Sequence, residues 1–187
     1  MIVYLHGFRS SPQSFKAQLI GRRLHALGRA SEYLCPQLPA ATAAAMRVLE
    51  SLLAPCAAAK LALIGSSLGG YYATWLAERL GCRAVLLNPA VAPLPVLRAE
   101  VGSTTAWHSD QPFEFKAEYL QQLAAYAVPA ITRPQRYFLI AATGDEVLDW
   151  RQMVAHYAGA QMQIVDGGDH GLSGFAAQLD EVLAFCR

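Results

Sequence analysis

Residues 60–75 read KLALIGSSLGGYYATW, and this stretch decides the fold. The apolar run 61–64 is typical of a buried strand, and residues 70–81 have the spacing of a helix that stops at Gly81. Between them, Gly65, Ser67 and Gly69 match G-x-S-x-G, a pattern in which a serine occupies a sharp turn from strand to helix. The stretch therefore predicts that Ser67 is a nucleophile at the carboxyl end of a buried strand.

Two alternatives to a nucleophilic Ser67 stay open in this stretch. Ser66 is the weaker candidate for the nucleophile, because glycines do not flank it at the required spacing. The glycines and serines could also form a loop that only tightens the packing of strand against helix.

Short apolar runs alternate with helical segments on both sides of this turn. Phe15, Leu19, Leu24 and Leu27 are expected on the buried side of the first helix. Without hairpin signals, the alternation favours βαβ units and an α/β fold, with a mostly parallel sheet of about six strands and helices on both faces. The candidate strands are 2–5, 31–35, 61–64, 84–88, 136–143 and 161–166, and the candidate helices are 11–28, 41–56, 70–81, 149–159 and 173–186.

The stretch 89–135 breaks this alternation with several prolines and aromatic residues, and 116–127 within it is predicted to be helical. We expect one domain, 1–187, that carries a cap-like insertion at about 89–135. A long excursion between strands is commonly functional, so Trp107, Phe113 and Tyr119 are candidates for substrate binding, with Phe115 beside them. The alternative is that these aromatic rings simply cover the sheet edge.

Composition limits the classes of function. The chain has 187 residues, 54% hydrophobic and 16% charged, with a formal net charge of +1, so we expect a large core and no nucleic acid as partner. No apolar run of membrane-spanning length occurs, and the N-terminus lacks the basic region of a signal peptide. The four cysteines are scattered, which favours free thiols and a cytoplasmic location.

A serine hydroxyl needs a base, and His170 is the best candidate. It lies in DGGDHGLSG, directly after the last candidate strand, so its ring is expected at the same sheet edge as Ser67. The other histidines fit other roles: His25 on the surface, His156 in capping or packing, and His6 in a turn. His108, in the insertion, stays open.

The base needs a carboxylate that orients it, and Asp145 follows a strand immediately in TGDEVLD. Glu146 and Asp149 are close rivals, although Asp149 is better placed as a helix N-cap. Asp166 and Asp169 are also possible. The resulting chain order, serine then aspartate then histidine, is the order expected on an α/β-hydrolase sheet.

An oxyanion hole requires two donors near the nucleophile. The backbone N–H of Leu68, directly after Ser67, is one candidate. The backbone N–H of Phe8, in the turn after the first strand, is the other.

Five segments resemble the YqiA/YcfP-like family of small bacterial α/β-hydrolase esterases. They are YLHGFRSSPQSFKA, GSSLGGYYATWLAE, LLNPAV, TGDEVLD and GGDHGLSGF, and they span residues 4 to 175. The resemblance implies hydrolysis of carboxylic esters or thioesters, with Ser67 as nucleophile, Asp145 as acid and His170 as base. It also implies a reduced sheet that lacks the leading antiparallel strands of larger hydrolases.

We therefore expect a serine esterase that acts on a small-molecule ester or acyl thioester. No cofactor or metal is expected, because the chain contains no HExxH, GxGxxG or P-loop pattern and no clustered Cys and His ligands. The rival functions are a non-catalytic binding protein on the same scaffold and an acyltransferase in which an alcohol replaces water.

Overall fold

The structure is a computed structural model that describes residues 1–107 and 112–187. The strands are β1 (Ile2–Leu5), β2 (Tyr33–Leu34), β3 (Ala62–Ser66), β4 (Arg83–Leu87), β5 (Gly102–Thr105), β6 (Pro112–Phe115), β7 (Tyr137–Ala142) and β8 (Gln161–Val165). The α-helices are α1 (Phe15–Ala26), α2 (Thr42–Leu53), α3 (Leu68–Leu80), α4 (Leu94–Arg98), α5 (Ala117–Ala124), α6 (Trp150–His156) and α7 (Leu179–Phe185).

Six strands form one sheet in the order β2-β1-β3-β4-β7-β8, and every pairing in it is parallel. The central strands are near-continuous apolar runs such as IVYL and YFLIAA, because helices cover both of their faces. The predicted six-stranded α/β architecture is confirmed. Since β2 and β3 lie on opposite sides of β1, the chain changes direction there, and the loops after β1 and β3 border the resulting crevice.

Two apolar cores lie on the two faces of the sheet. Residues of α2, α3, α5 and α6 pack on one face, and residues of α1 and α7 pack on the other. In α1 the buried residues are Ala17, Ile20 and Leu24. The prediction for this helix was partly wrong, because Phe15 and Leu27 lie at the helix ends and are 52% and 41% exposed.

The 89–135 segment contains α4, α5 and a two-stranded antiparallel hairpin of β5 and β6. The prediction of a helix at 116–127 is confirmed for 117–124, whereas the hairpin was not predicted. The sequence of β5, GSTT, is polar and mostly exposed, so it carries no apolar alternation.

The segment is fastened to the helices on one face of the sheet. The Tyr71 hydroxyl donates a hydrogen bond to the Leu123 carbonyl at 2.7 Å, and the Ala43 N–H donates to Gln122 Oε1 at 2.8 Å. These two hydrogen bonds attach α5 to α3 and α2.

Within the described ranges, no helix has both the length and the apolar character needed to cross a bilayer. The four cysteines all lie in these ranges and are free thiols, with Cys82 buried and Cys35, Cys56 and Cys186 half-buried.

Candidate active site

The turn between β3 and α3 holds Ser67 in a strained backbone conformation, with φ 54° and ψ −121°. The glycines on either side have no room for a side chain. A Cβ on Gly65 would lie 2.4 Å from the Gly69 carbonyl oxygen, and a Cβ on Gly69 would lie 2.0 Å from the Leu5 carbonyl oxygen. The two glycines therefore let α3 start close to β1 and place Ser67 at the strand end.

The His170 ring lies within hydrogen-bonding distance of Ser67 on one side and of Asp145 on the other. Ser67 Oγ is 3.0 Å from His170 Nε2, and His170 Nδ1 is 2.9 and 3.0 Å from the two oxygens of Asp145. Because the carboxylate can only accept, Nδ1 carries the hydrogen and Nε2 offers its lone pair to the serine hydroxyl. The histidine side chain is 21% exposed and the aspartate side chain is fully buried.

Backbone groups fix the Asp145 carboxylate in place. Its Oδ1 also accepts hydrogen bonds from the N–H groups of Val147 and Leu148, at 2.9 and 2.8 Å. These two bonds hold the carboxylate in the orientation that faces the imidazole.

The rival carboxylates have other partners. Glu146 accepts from the backbone N–H of His170 at 2.9 Å, and Asp149 caps α6 by accepting from Arg151 N, as predicted. Asp169 accepts from the backbone N–H and the hydroxyl of Ser173, and Asp166 accepts from the Thr143 hydroxyl. Of the five predicted carboxylate candidates, only Asp145 contacts the His170 ring.

Three other histidines, His6, His25 and His156, make no hydrogen bond to Ser67. His6 is 3% exposed, its Nδ1–H donates to the Gly7 carbonyl, and its Nε2 accepts from the Leu38 N–H at 3.0 Å. Burial lowers the pKa of His6, so the neutral ring is favoured. His25 is exposed, and His156 packs edge-on against Tyr157. His108 lies outside the described residues.

Asn88, which sequence reasoning missed, ties together the loops that carry the site. Its side-chain NH2 donates to the carbonyls of Asp169 and His170 at 3.0 and 3.1 Å, and its Oδ1 accepts from Ala142 N at 2.8 Å. The residue is fully buried with φ 42°, a conformation that asparagine tolerates well. A buried amide directly after the apolar run 84–87 was the available signal.

The loop after β1 approaches Ser67 closely. A Cβ on Gly7 would lie 3.3 Å from the Ser67 Cβ, and the next residue is Phe8. Within the described ranges, no backbone carbonyl or side chain accepts a hydrogen bond from the Phe8 N–H. Leu68 is the first residue of α3, where backbone N–H groups have no partner within the helix. Both predicted oxyanion donors are therefore close to Ser67.

Two cavities of different character meet at Ser67 and His170. One measures about 560 Å³ and is the more polar of the two, so we call it the polar cavity; its wall combines aromatic side chains such as Tyr4 and Phe15 with Ser10, Ser14, Lys16 and Ser173. The other measures about 320 Å³ and is largely apolar; its wall includes Ala90, Pro93, Val96, Leu97, Val147 and Leu148.

The three aromatic residues predicted to bind substrate lie in different places. Trp107 lines both cavities and is 56% exposed, with its ring 4.3 Å from the Arg9 guanidinium. Phe113 and Tyr119 line neither cavity. The Phe113 ring packs edge-on against Phe8 at 5.1 Å, and the Tyr119 ring packs against Phe115 at 5.7 Å. They lie in the packing around the Phe8 loop and not at the surface facing Ser67.

The described residues contain no cluster of three or more His, Cys, Asp and Glu side chains that could hold a metal ion.

Solved structures with the same architecture come from distant relatives. An Agrobacterium vitis S4 protein classed as a hydrolase superposes with TM-score 0.74 at 18% identity, covering 100% of this chain and 87% of that one. Mouse alpha/beta hydrolase domain-containing protein 10 gives 0.72 at 16% identity, with 98% and 89% covered. Est1E from Butyrivibrio proteoclasticus gives 0.70 at 14% identity, with 98% and 87% covered. These likenesses establish the α/β-hydrolase fold.

The family comparison covers more of the sequence than any single motif. The family described as "Uncharacterised protein family (UPF0227)" matches residues 1–187. Because this match extends over every segment that resembles the YqiA/YcfP proteins, the chain belongs to UPF0227, the YqiA/YcfP family of α/β-hydrolase-fold proteins.

Proposed function

We propose that this protein is a serine hydrolase that cleaves carboxylic esters or thioesters. The observation that carries the proposal is the contact of Ser67 Oγ with His170 Nε2 at 3.0 Å, with Asp145 at 2.9 Å from the other ring nitrogen. One structural neighbour, Est1E, was solved with ferulic acid bound, and another comes from the pair LipS and LipT, which are metagenome-derived lipolytic enzymes; both fit this reaction class.

In the first half of the reaction, Ser67 Oγ attacks the acyl carbonyl carbon while its proton passes to His170 Nε2. Asp145 stabilises the imidazolium that forms. The negative charge that develops on the carbonyl oxygen is held by the N–H groups of Phe8 and Leu68, each worth about 3–4 kcal/mol of transition-state stabilisation. The bond to the leaving group then breaks, and His170 returns the proton to the departing alkoxide or thiolate.

In the second half, water replaces the leaving group. His170 takes a proton from water, the hydroxide attacks the acyl carbon, and the Ser67 ester bond breaks with the proton returning to Oγ. The carboxylic acid is released and the serine hydroxyl is restored. The apolar cavity, lined by Leu97 and Leu148 among others, offers the acyl chain a surface of matching character.

A fluorophosphonate probe tests the nucleophile directly, because it phosphonylates only an activated serine. We expect labelling of the folded protein at Ser67 and loss of labelling in Ser67→Ala. Ser66→Ala is the matched control at the neighbouring position and is expected to retain labelling. An unlabelled wild-type protein would contradict the proposal and favour a binding protein on a hydrolase scaffold.

Acyl transfer to an alcohol is the second candidate reaction of the same acyl-enzyme intermediate. The open polar cavity at Ser67 admits an alcohol as readily as water. Hydrolysis of 4-nitrophenyl esters in the presence and absence of added small alcohols separates the two reactions: a hydrolase releases acid at an unchanged yield, whereas a transferase forms the new ester.

A further inference from the structure

Lys16 is the only lysine or arginine that lines the polar cavity within the described parts of the chain. It lies in the first turn of α1, next to Ser14 and Phe15, which border the same space. Apart from the reacting groups and the Trp107 indole, the other polar side chains of the wall are the hydroxyls of Tyr4, Ser10, Ser14, Ser66 and Ser173. A cation among hydroxyls is a typical setting for binding an oxyanion.

The Lys16 ammonium has capacity for a ligand. It donates to the Gly171 carbonyl, and no carboxylate of the described residues lies within 4.0 Å of it. An ammonium has three N–H bonds, so two remain for another acceptor. Arg9, the other cation near the site, is already engaged by Glu100, the Thr105 carbonyl and the Trp107 ring.

The surroundings leave Lys16 charged near neutral pH. Burial lowers the pKa of the Lys16 ammonium to about 8, and the charges of Asp169 and Asp145 act in the opposite direction. An anion bound beside the ammonium would raise the pKa of Lys16, so anion binding favours the protonated lysine and the protonated lysine favours anion binding.

The two cavities differ in how they would treat a negative charge. Among the described residues, the wall of the apolar cavity has no lysine or arginine, and its one carboxylate, Glu100, is paired with Arg9. The wall of the polar cavity includes the start of α1, whose partial positive charge adds to that of Lys16. The charge distribution therefore directs an anionic group into the polar cavity and leaves the apolar cavity to the acyl chain.

We propose that Lys16 is a specificity-determining residue that binds an anionic group, a carboxylate or a phosphate, on the leaving-group side of the ester or thioester substrate. This inference rests on the proposed function. It narrows the substrate class to esters whose alcohol or thiol portion carries a negative charge.

A pair of esters that differ by one carboxylate tests the proposal. The substrates are 4-nitrophenyl butyrate and 3-carboxy-4-nitrophenyl butyrate, and the measured quantity is the ratio of their kcat/KM values. We expect Lys16→Met to lower the ratio of charged to neutral ester about tenfold. Lys16→Arg, which keeps the charge, is expected to restore most of the preference.

The matched control is Lys60→Met, which removes an exposed lysine at the start of β3, at the opposite end of that strand from Ser67. It is expected to leave the ratio unchanged. Equal losses on both esters in Lys16→Met would mean that the side chain only holds the Gly171 loop, and would overturn the proposal. A loss confined to 4-nitrophenyl hemisuccinate, whose carboxylate lies on the acyl side, would overturn the assigned orientation.

Calorimetric binding separates this inference from the proposed function. Benzoate, phenyl phosphate and neutral benzamide are titrated into Ser67→Ala and into Ser67→Ala with Lys16→Met. We expect one or both anions to bind more tightly than benzamide, and only when Lys16 is present; the preferred anion identifies the group. Lys16-dependent binding without any ester hydrolysis by the wild type would overturn the proposed function alone. Anion binding that is unaffected by Lys16→Met would overturn the inference alone.

Discussion

Of the five candidate carboxylates, Asp145 is the one whose surroundings place it against the His170 ring. Its side chain is fully buried and accepts two backbone N–H bonds as well as the His170 ring. Its neighbour Glu146 accepts only from the loop backbone at His170. Adjacent acidic residues thus have different roles, because one faces the imidazole and the other faces the main chain.

Replacing Asp145 by asparagine tests that role. We expect Asp145→Asn to lower kcat for ester hydrolysis by about 10³–10⁴, because the amide stabilises the wrong imidazole tautomer. Asp149→Asn is the matched control, since asparagine also caps helices well, and it is expected to keep nearly full activity. The measurement is steady-state hydrolysis of a 4-nitrophenyl ester. Loss of activity in the Asp149 variant alone would assign the acid to that residue.

Gly69 is a second position at which the residue type is tightly constrained, because the structure has no room for a Cβ atom there. A Cβ there would lie 2.0 Å from the Leu5 carbonyl oxygen, so Gly69→Ala forces β1 and α3 apart. We expect a loss of at least about 3 kcal/mol in the free energy of unfolding, measured by urea denaturation. Gly174→Ala is the control, because nothing lies within 4 Å of its added Cβ and its φ is −83°. A similar small effect in both variants would refute the close approach.

At the scale of elements, the strand ends hold the site together through Asn88. This residue follows β4 and bonds to the end of β7 and to the loop that carries His170. The carboxyl ends of parallel strands bring these loops to one edge, and the amide fixes their spacing. The position of the imidazole therefore depends on a residue that does not contact the serine.

Asn88→Asp tests this positioning role. The carboxylate cannot donate to the carbonyls of Asp169 and His170, so we expect the loop to shift and kcat to fall about 10- to 100-fold with a smaller change in KM. Asn88→Gly, which also accepts the positive φ, separates backbone strain from the lost amide. An unchanged kcat in both variants, with only stability reduced, would limit Asn88 to a structural role.

The sequence predicted the central elements well and the irregular ones poorly. Buried parallel strands are apolar on both faces, so β3, β4 and β7 were located to within two residues. The β5–β6 hairpin was missed because β5 is polar and mostly exposed. The last helix, α7, begins at Leu179 rather than at 173 because a 3₁₀ turn, Phe175–Ala177, precedes it. Local composition does not encode such features, which depend on what packs against them.

The candidate site was predictable where residue type carries the chemistry. Ser67, Asp145 and His170 follow strands in a recognisable order, and the fold places the His170 ring within 3.0 Å of both Ser67 and Asp145. Asn88 and Lys16 were not predicted, because their importance comes from partners 54 to 155 residues away in sequence. Their roles become visible only when the loops are assembled.

For the molecule as a whole, buried His6 couples folding to pH. Burial lowers the pKa of His6 in the folded state, so folding favours the neutral form of the ring. The stabilisation is present above the unfolded pKa of about 6.5 and is lost as pH falls below that value. His156, whose pKa burial also lowers, contributes in the same direction.

We therefore expect the free energy of unfolding to decrease from pH 7.5 to pH 5.5, with part of this slope absent in His6→Asn. The asparagine side chain does not titrate, and its NH2 can replace the Nδ1–H that donates to the Gly7 carbonyl. Urea denaturation at the two pH values measures the slope, and His25→Asn, at an exposed position, is the control. An identical slope in wild type and His6→Asn would exclude His6 as its source.

The crowding around Gly65 and Gly69 has an evolutionary consequence. The backbone can adopt this turn only because Gly65 and Gly69 carry no methyl group, whereas the turn does not need the hydroxyl of Ser67. A descendant that became a pseudoenzyme would therefore inherit both glycines and be free to exchange the serine, the imidazole or the carboxylate. A survey of related sequences that scores only the glycine spacing will identify proteins that share this turn. Only the joint presence of the serine, the histidine and the aspartate will distinguish members that keep the catalytic groups from members that have lost them.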